Sequence, residues 1–403
     1  MRSRENGTFF FDMKEDTIKP AIRASLVQEY YFSRKLKQIA DMRQQGLNVI
    51  NLGIGSPDLP PSQPVIDSLH SASANPANHC YQSYNGIPEL RNAFSEWYRT
   101  WFNVELDPAD EILPLIGSKE GIMHISMAFL NPGDEALIPN PGYPTYEAAT
   151  KLAGGRVRYY DLTEEGGWLP DIERIEAAGV SNVRIMWVNY PHMPTGRKAS
   201  HEVFRKLISF AEKHRILLVN DNPYSFILND DYISILAVDG AREVALELNS
   251  LSKSHNMAGW RIGMVGGHAD YLSAIVRIKS NMDSGMFKPL QEAAVTALRS
   301  PESWYKDLNN IYRSRRNSAE ELMNTLGCSF DQGQSGLFLW GKIPPFRGDG
   351  EEFAEQILND AHVFVTPGTV FGTNGKNYVR ISPCATEAII NEANDRIKHK
   401  LKL

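Results

Sequence analysis

The sequence predicts an α/β protein whose mostly parallel sheet is covered by helices on both faces, with a smaller α+β domain. Three observations predict it. Short, nearly continuous apolar runs at 136–139, 183–188, 216–219 and 244–248 read as strands buried on both faces. Helical patterns stand between them at about 120–130, 145–153 and 200–214, the last with Phe204, Leu207, Ile208 and Ala211 at three- and four-residue spacing. After about residue 290 the pattern changes to one long charged helix, 305–326, followed by short strands at 336–340, 363–366 and 378–382.

Taken in order, residues 32–45 form an N-terminal helix that is expected to join the smaller domain. The run 112–116 is a strand that Gly117 closes before a helix from 122 to 130. Strands and helices then alternate through the four apolar runs, as parallel crossovers require. The expected division is an N-terminal segment and helix over 1–50, a large domain over 51–290 and a small C-terminal domain over 291–403. There is no internal repeat and no low-complexity linker.

The chain has 403 residues, is 42% hydrophobic and carries a formal net charge of -6 with both signs interspersed. That composition suits a large core and gives no basic run able to track a nucleic-acid backbone. Cys80, Cys328 and Cys384 are odd in number and lack metal-ligand spacing, so they read as free thiols in a reducing compartment, with no metal site. No apolar stretch is long enough to span a membrane, and the first residues lack a leader-like apolar core. A cytoplasmic location is the expectation.

Ligands of parallel sheets bind at the carboxyl ends of the strands. Asn189, Asp221 and residues 250–253 fall at three such ends. Lys253 lies in Ser250-Leu251-Ser252-Lys253-Ser254-His255-Asn256-Met257-Ala258-Gly259-Trp260-Arg261-Ile262-Gly263. An amine among hydroxyls, with an arginine eight residues on, suits an aldehyde bearing a phosphate. The amine condenses with the carbonyl, while hydroxyls and guanidinium serve the phosphate dianion. Pyridoxal 5'-phosphate is such an aldehyde.

Asp221, in Val219-Asn220-Asp221-Asn222-Pro223-Tyr224, has the residue type of a turn initiator or helix cap. Alternatively it is the carboxylate that keeps a cofactor's pyridine nitrogen protonated. Tyr224 then donates to the ring oxygen. Gly117, Ser118 and Lys119 open a helix whose free N–H groups suit a phosphate. Tyr143 follows a strand end, where its ring can stack on a planar group. Arg380 alternates with Val379 and Ile381 on a strand and offers a bidentate partner for a substrate carboxylate. Gly55, in Gly53-Ile54-Gly55-Ser56-Pro57-Asp58, lets backbone approach a ligand, and Asn189 is placed to meet substrate.

These segments, with Tyr81-Gln82-Ser83-Tyr84-Asn85-Gly86-Ile87-Pro88-Glu89-Leu90-Arg91 and Pro194-Thr195-Gly196, resemble in order the class I/II aminotransferases. Those are the fold-type I enzymes that use pyridoxal phosphate, and the resemblance runs over about 31–380. It implies a ping-pong transfer of an amino group from an amino acid to a 2-oxo acid. In that scheme Lys253 forms the Schiff base and moves the Cα proton, Asp221 pairs with the pyridine nitrogen and Tyr224 with the ring oxygen. Ser250, Ser252 and Arg261 hold the phosphate, helped by backbone donors at Ser118 and Lys119, with Tyr143 on the ring and Arg380 on the α-carboxylate. Tyr81 matches a tyrosine that reaches the neighbouring subunit's phosphate, which implies a homodimer with shared sites. The pattern at Tyr31-Phe32 and 51–55 looks closest to the diaminopimelate, aspartate and alanine branch.

The chain departs from the family where Met193 stands in place of the asparagine before Pro-Thr-Gly. A thioether cannot donate to the ring oxygen. Two other outcomes stay open on the sequence: β-elimination by the same cofactor, and a binding or regulatory protein that keeps the fold. No helix-turn-helix module accompanies the chain to favour the second. Lys119 could meet a distal substrate carboxylate or be simply solvated.

Overall fold

The structure, a computed structural model, describes residues 18–401. The start of the chain, read above as lacking a leader, lies outside the described residues, as does the beginning of the 1–50 segment. Twelve strands are found among the described residues. They are β1 (Ile50–Asn51), β2 (Ile112–Leu115), β3 (Glu135–Asn140), β4 (Arg156–Asp161), β5 (Val183–Val188), β6 (Leu217–Asp221), β7 (Ala245–Ser250), β8 (Gly263–Gly267), β9 (Leu339–Lys342), β10 (Val363–Phe364), β11 (Thr366–Pro367) and β12 (Tyr378–Ile381).

Seven of them form the central sheet in the order β2-β8-β7-β6-β5-β3-β4. All neighbours are parallel except those of β8, which runs antiparallel to β2 and β7. Apart from the edge strand β4, which is largely exposed, the strands are buried on both faces because successive side chains enter two different cores. Ile185 and Trp187 of β5, with Val219 and Leu246, pack under the helices Ser118–Phe129 and Ala269–Lys279. Met186 and Val188, with Leu218, pack against Phe204, Leu207 and Ile208 of the helix His201–His214. Each such fully buried side chain contributes roughly 1.5–3 kcal/mol by removal from water. Ser200 starts that helix by accepting the Val203 N–H, and Arg215 ends it in the left-handed region at φ 52.

β7 carries a buried acid in its interior. Glu247 is fully buried and accepts from Tyr98 Oη, Asn220 Nδ2, Ser234 Oγ and the Ile235 N–H at 2.8–3.1 Å. Burial raises its pKa, and the four donors make the group tolerable in the core.

The C-terminal elements build an antiparallel sheet β11-β12-β9. The helices Glu302–Thr325, Gly350–Ala361 and Glu387–Lys400 pack on it through Leu322, Phe353, Ile357 and Ile390. The helix Tyr31–Gln44 packs on the same side of the molecule, with Ile39 against Leu358 and Phe364 and an ion pair from Lys35 to Glu355. β1 pairs in parallel with β10.

Two expected strands are corrected. The run 336–340 is a strand only from Leu339. Gly336 sits at φ 83, and the carbonyls of Gly336 and Phe338 are taken by Arg316, so this stretch joins no ladder. The run 363–366 is divided, because Val363 and Phe364 pair with Ile50 and Asn51 whereas Thr366 pairs with Arg380. β4 and β8 were not anticipated. Arg156, Arg158 and Asp161 hide the strand character of β4, and three glycines hide that of β8.

Candidate active site

The carboxyl ends of β5, β6 and β7 open onto a cavity of about 770 Å³. Its walls bring together Gly55, Ser118, Lys119, Tyr143, Asn189, Asp221, Tyr224, Ser250, Ser252, Lys253, Arg261 and Arg380. Gly117 lies behind the wall, and Tyr81 lies on the outer surface, 91% exposed.

One end of the cavity is a cradle for an anion. Ser250 ends β7, accepts the Ser252 N–H and lies 2.9 Å from Ser252 Oγ. Arg261 stands in the left-handed region at φ 57, with Nη1 donating to the Ala258 carbonyl, so its other donors remain near the turn at Gly117. Gly117 has φ +80, and a Cβ there would stand 2.2 Å from Arg261 Nη2. Only glycine allows the guanidinium to lie across the start of the helix Ser118–Phe129. Glu120 braces the same turn: Oε2 accepts the Ile116 N–H at 2.5 Å, and Oε1 meets His124 and Lys279. Glu120, His124 and Asp283 are close enough to one another to hold a metal, but the Lys279 ammonium already bonds both carboxylates there.

Lys253 lies one turn beyond Ser250, and its Nζ donates to the Gly55 carbonyl at 2.6 Å. Burial brings its pKa down from 10.5 to about 8, with Arg380 and Arg261 acting in the same direction. Gly55 serves a second contact, since a Cβ there would stand 2.2 Å from the Phe338 ring. Asp221 closes β6. Burial pushes its carboxyl up to about 7, while a hydrogen bond from Tyr146 Oη to Oδ2, at 2.9 Å, pulls it down. Oδ1 is buried and has no partner among the described residues.

Arg380 on β12 is 3% exposed, and burial lowers its pKa to about 10. Nη2 donates to the Gly53 carbonyl at 2.7 Å and Nη1 to Met193 Sδ at 3.2 Å. Its Cζ is 3.7 Å from the Phe338 ring centre, 4.5 Å from Phe371 and 5.6 Å from Phe32. A guanidinium fixed in an aromatic box, with no carboxylate among the described residues in its hydrogen bonds, is prepared to receive one.

Asn189, expected to meet substrate, lines the cavity with its side chain engaged by neighbouring backbone. Its Nδ2 donates to the Asp221 carbonyl and its Oδ1 accepts the Met193 N–H at 2.8 Å, so the side chain ties the loop to β6. Lys119 is at the mouth, its Nζ 4.4 Å from the Tyr30 ring centre. Burial and Arg261 lower its pKa.

Sequence reasoning missed Tyr30, Leu36, Phe338 and Phe371 on the walls, and Tyr146 behind Asp221. A helical apolar face at Phe32 and Leu36 was a usable signal for the first two. Nothing local marks the others.

The residues present fit pyridoxal phosphate. Hydroxyls, a guanidinium and a helix N-terminus gather at one end, and the same cavity is lined by an unpartnered buried carboxylate and an amine of lowered pKa.

Comparison with known proteins gives the same direction. Residues 48–397 match the family described as Aminotransferase class I and II. The chain is 42% identical to LL-diaminopimelate aminotransferase of Desulforudis audaxviator over 92% of its length and 94% of the relative's. It is 39% identical to the enzyme of the same name from Moorella thermoacetica, over 95% of this chain and 99% of that one. Among solved structures, substrate-bound BacF from Bacillus subtilis superposes with a TM-score of 0.90 at 34% identity, covering 95% of this chain and 98% of that one. A mutant aspartate aminotransferase of Thermus thermophilus gives 0.88 at 27%, covering 96% of this chain and 100% of that one.

Proposed function

The chain belongs to the class I and II aminotransferases and is a pyridoxal phosphate-dependent enzyme of small amino and 2-oxo acids; from that premise we propose its residue roles, donor and assembly. The observation that carries the roles is the convergence of Lys253 Nζ, the unpartnered Asp221 Oδ1 and the boxed Arg380 guanidinium on one cavity. When bound, the cofactor supplies an electron sink for the bond broken at the substrate Cα.

In this reading Arg380 binds the α-carboxylate, exchanging its thioether contact for a bidentate pair. Lys253, with a pKa of about 8, would carry the proton from the substrate Cα to the cofactor's C4' carbon. Asp221 holds the ring nitrogen protonated, Tyr224 donates to the ring oxygen and Tyr143 stacks on the ring. Ser118, Ser250, Ser252 and Arg261 hold the phosphate, with Gly117 and the backbone of Lys119. Asn189 anchors the loop that carries Met193.

We further propose that the donor is a dicarboxylic amino acid of the diaminopimelate kind. Two things support it: relatives near 40% identity bear that name, and the Lys119 ammonium stands at the mouth, where a distal carboxylate would arrive. The exposed Tyr81 ring supports a homodimer in which each subunit completes its partner's site. The division at residues 51 and 290, with 1–50 joined to the C-terminal unit, belongs to the same proposal. The family match does not favour the elimination alternative.

The test is the first half-reaction, followed by the cofactor's visible absorption, with LL-diaminopimelate, aspartate, alanine and glutamate offered separately. LL-diaminopimelate is expected to bleach the band fastest, and a 2-oxo acid to restore it. Lys119→Met is expected to raise the KM for LL-diaminopimelate about two- to fivefold, the size of one partly screened ion pair, and to leave that for alanine unchanged. Rapid conversion by alanine with none by LL-diaminopimelate would overturn the donor assignment.

A further inference from the structure

Tyr146 has no part in the roles above, yet it meets the cavity's most deeply buried acid. It lies in the first turn of the helix Pro144–Leu152 and is fully buried. Its ring stacks on Trp187 with centres 5.0 Å apart and planes 8° apart, and it meets Tyr143 edge-on at 5.6 Å. From that fixed ring, Oη reaches Asp221 Oδ2 at 2.9 Å. The other carboxylate oxygen, Oδ1, is buried without a partner on a side chain that lines the cavity.

We propose that Tyr146 is a positioning residue: its hydroxyl selects which oxygen of Asp221 faces the cofactor's ring nitrogen and holds that carboxylate ionised. The proposal rests on the reading of Asp221 given above.

A carboxylate rotating about its last bond presents either oxygen to a neighbour. A donor on one side removes that freedom, because the bonded oxygen stays with its donor. The Asp221 backbone is held independently by the Asn189 amide on its carbonyl and by the β6 and β7 pairing, so the phenol acts on the carboxyl group alone. Burial raises the Tyr146 pKa well above its ordinary value, so the hydroxyl keeps its proton and remains a donor at any working pH. Tyr143 and Tyr224 also face Asp221 electrostatically. Their pKa values are raised by burial too, so they stay neutral phenols. A hydrogen bond to the charged form favours that form. Without it, burial alone acts on Asp221 and moves it toward the neutral acid, which cannot hold a proton on a ring nitrogen.

The experiment uses holoenzyme reconstituted with pyridoxal phosphate labelled with ¹⁵N in the ring, read by ¹⁵N NMR across pH, with kcat and KM measured on the same samples. Tyr146→Phe keeps the ring and its stacking and removes only the hydroxyl. It is expected to move the ring nitrogen toward the unprotonated shift at lower pH than in the parent, by about one pH unit. It should also lower kcat about ten- to a hundredfold, as loss of one hydrogen bond to a buried charge does, with KM within about twofold. Trp187→Phe loosens the packing and keeps the hydroxyl, so it is expected to leave the ¹⁵N titration in place. If Trp187→Phe reproduces the Tyr146→Phe shift, or Tyr146→Phe leaves the titration unmoved, Tyr146 is packing only and the proposal is overturned. Asp221→Asn separates this from failure of the premise. If it fails to move the ¹⁵N signal, Asp221 is not the ring partner and both readings fall; if it moves the signal while Tyr146→Phe does not, only the Tyr146 proposal falls.

Discussion

Replacing Met193 by asparagine restores a donor where this chain has a thioether, and its effect can be worked out from the surroundings. Met193 is 5% exposed on the cavity wall, with its main chain held by Asn189 Oδ1 and its sulfur accepting from Arg380 Nη1. A carboxamide there has one oxygen to accept from Arg380 and one NH2 to offer to the ionised ring oxygen, so both needs can be met together. A hydrogen bond to a charged group is worth roughly 1.5–3 kcal/mol. At about 1.36 kcal/mol per pKa unit, that is about one to two units. The lower end is expected, because the amide is shared with Arg380. The donor stabilises the deprotonated form, so the shift is downward. Met193→Asn should therefore lower by about one unit the pH midpoint at which the bound cofactor's visible absorption changes. Arg380 keeps an acceptor, so KM for the amino acid should change only a few-fold. The assay is a spectrophotometric pH titration of both holoenzymes at one ionic strength. Superimposable curves, or a midpoint that rises, would refute the reasoning.

The lowered pKa of Lys253 makes a separate prediction for cofactor-free protein. Burial disfavours the ammonium form, so the reactive amine predominates above about pH 8 rather than above 10.5. The rate of cofactor capture, followed by stopped-flow absorbance, should rise with pH and be half-maximal near 8; a midpoint above 10 would mean that the amine is solvated. For Gly117→Ala, the φ of +80 and the 2.2 Å approach to Arg261 Nη2 force either backbone strain of roughly 1–3 kcal/mol or displacement of the guanidinium. Cofactor Kd by fluorescence titration should rise about tenfold, and an unchanged Kd would show that the cradle does not depend on that turn.

Much of the cavity was legible because its chemistry is punctuated locally. Asp221, Ser250 and Lys253 follow directly from strand periods ending in polar turns, and Gly117 from a strand-to-helix junction. Asn189 shows the limit of such reading. Its position at a strand end was right, but whether its amide faces a ligand or a neighbouring backbone depends on how β5 and β6 are set side by side. The strand errors have a similar cause. Val363 and Phe364 look continuous with Thr366, but the chain changes pairing partner between them, and alternation of apolar residues carries no record of a partner. β8 was hidden because a sheet interior can be built from Gly263, Met264, Val265, Gly266 and Gly267 when its neighbours supply the packing.

By itself, then, the sequence determined the alternating architecture and the polar strand ends, because hydrophobic period and turn chemistry act over a few residues and need no distant partner. Only the tertiary structure decided what surrounds them. The box around Arg380 takes Phe32, Phe338 and Phe371 from three separate segments, and the phenol bound to Asp221 comes from a helix 75 positions earlier. Such contacts depend on how helices and sheets pack, since burial drives the rings together without regard to their order in the chain.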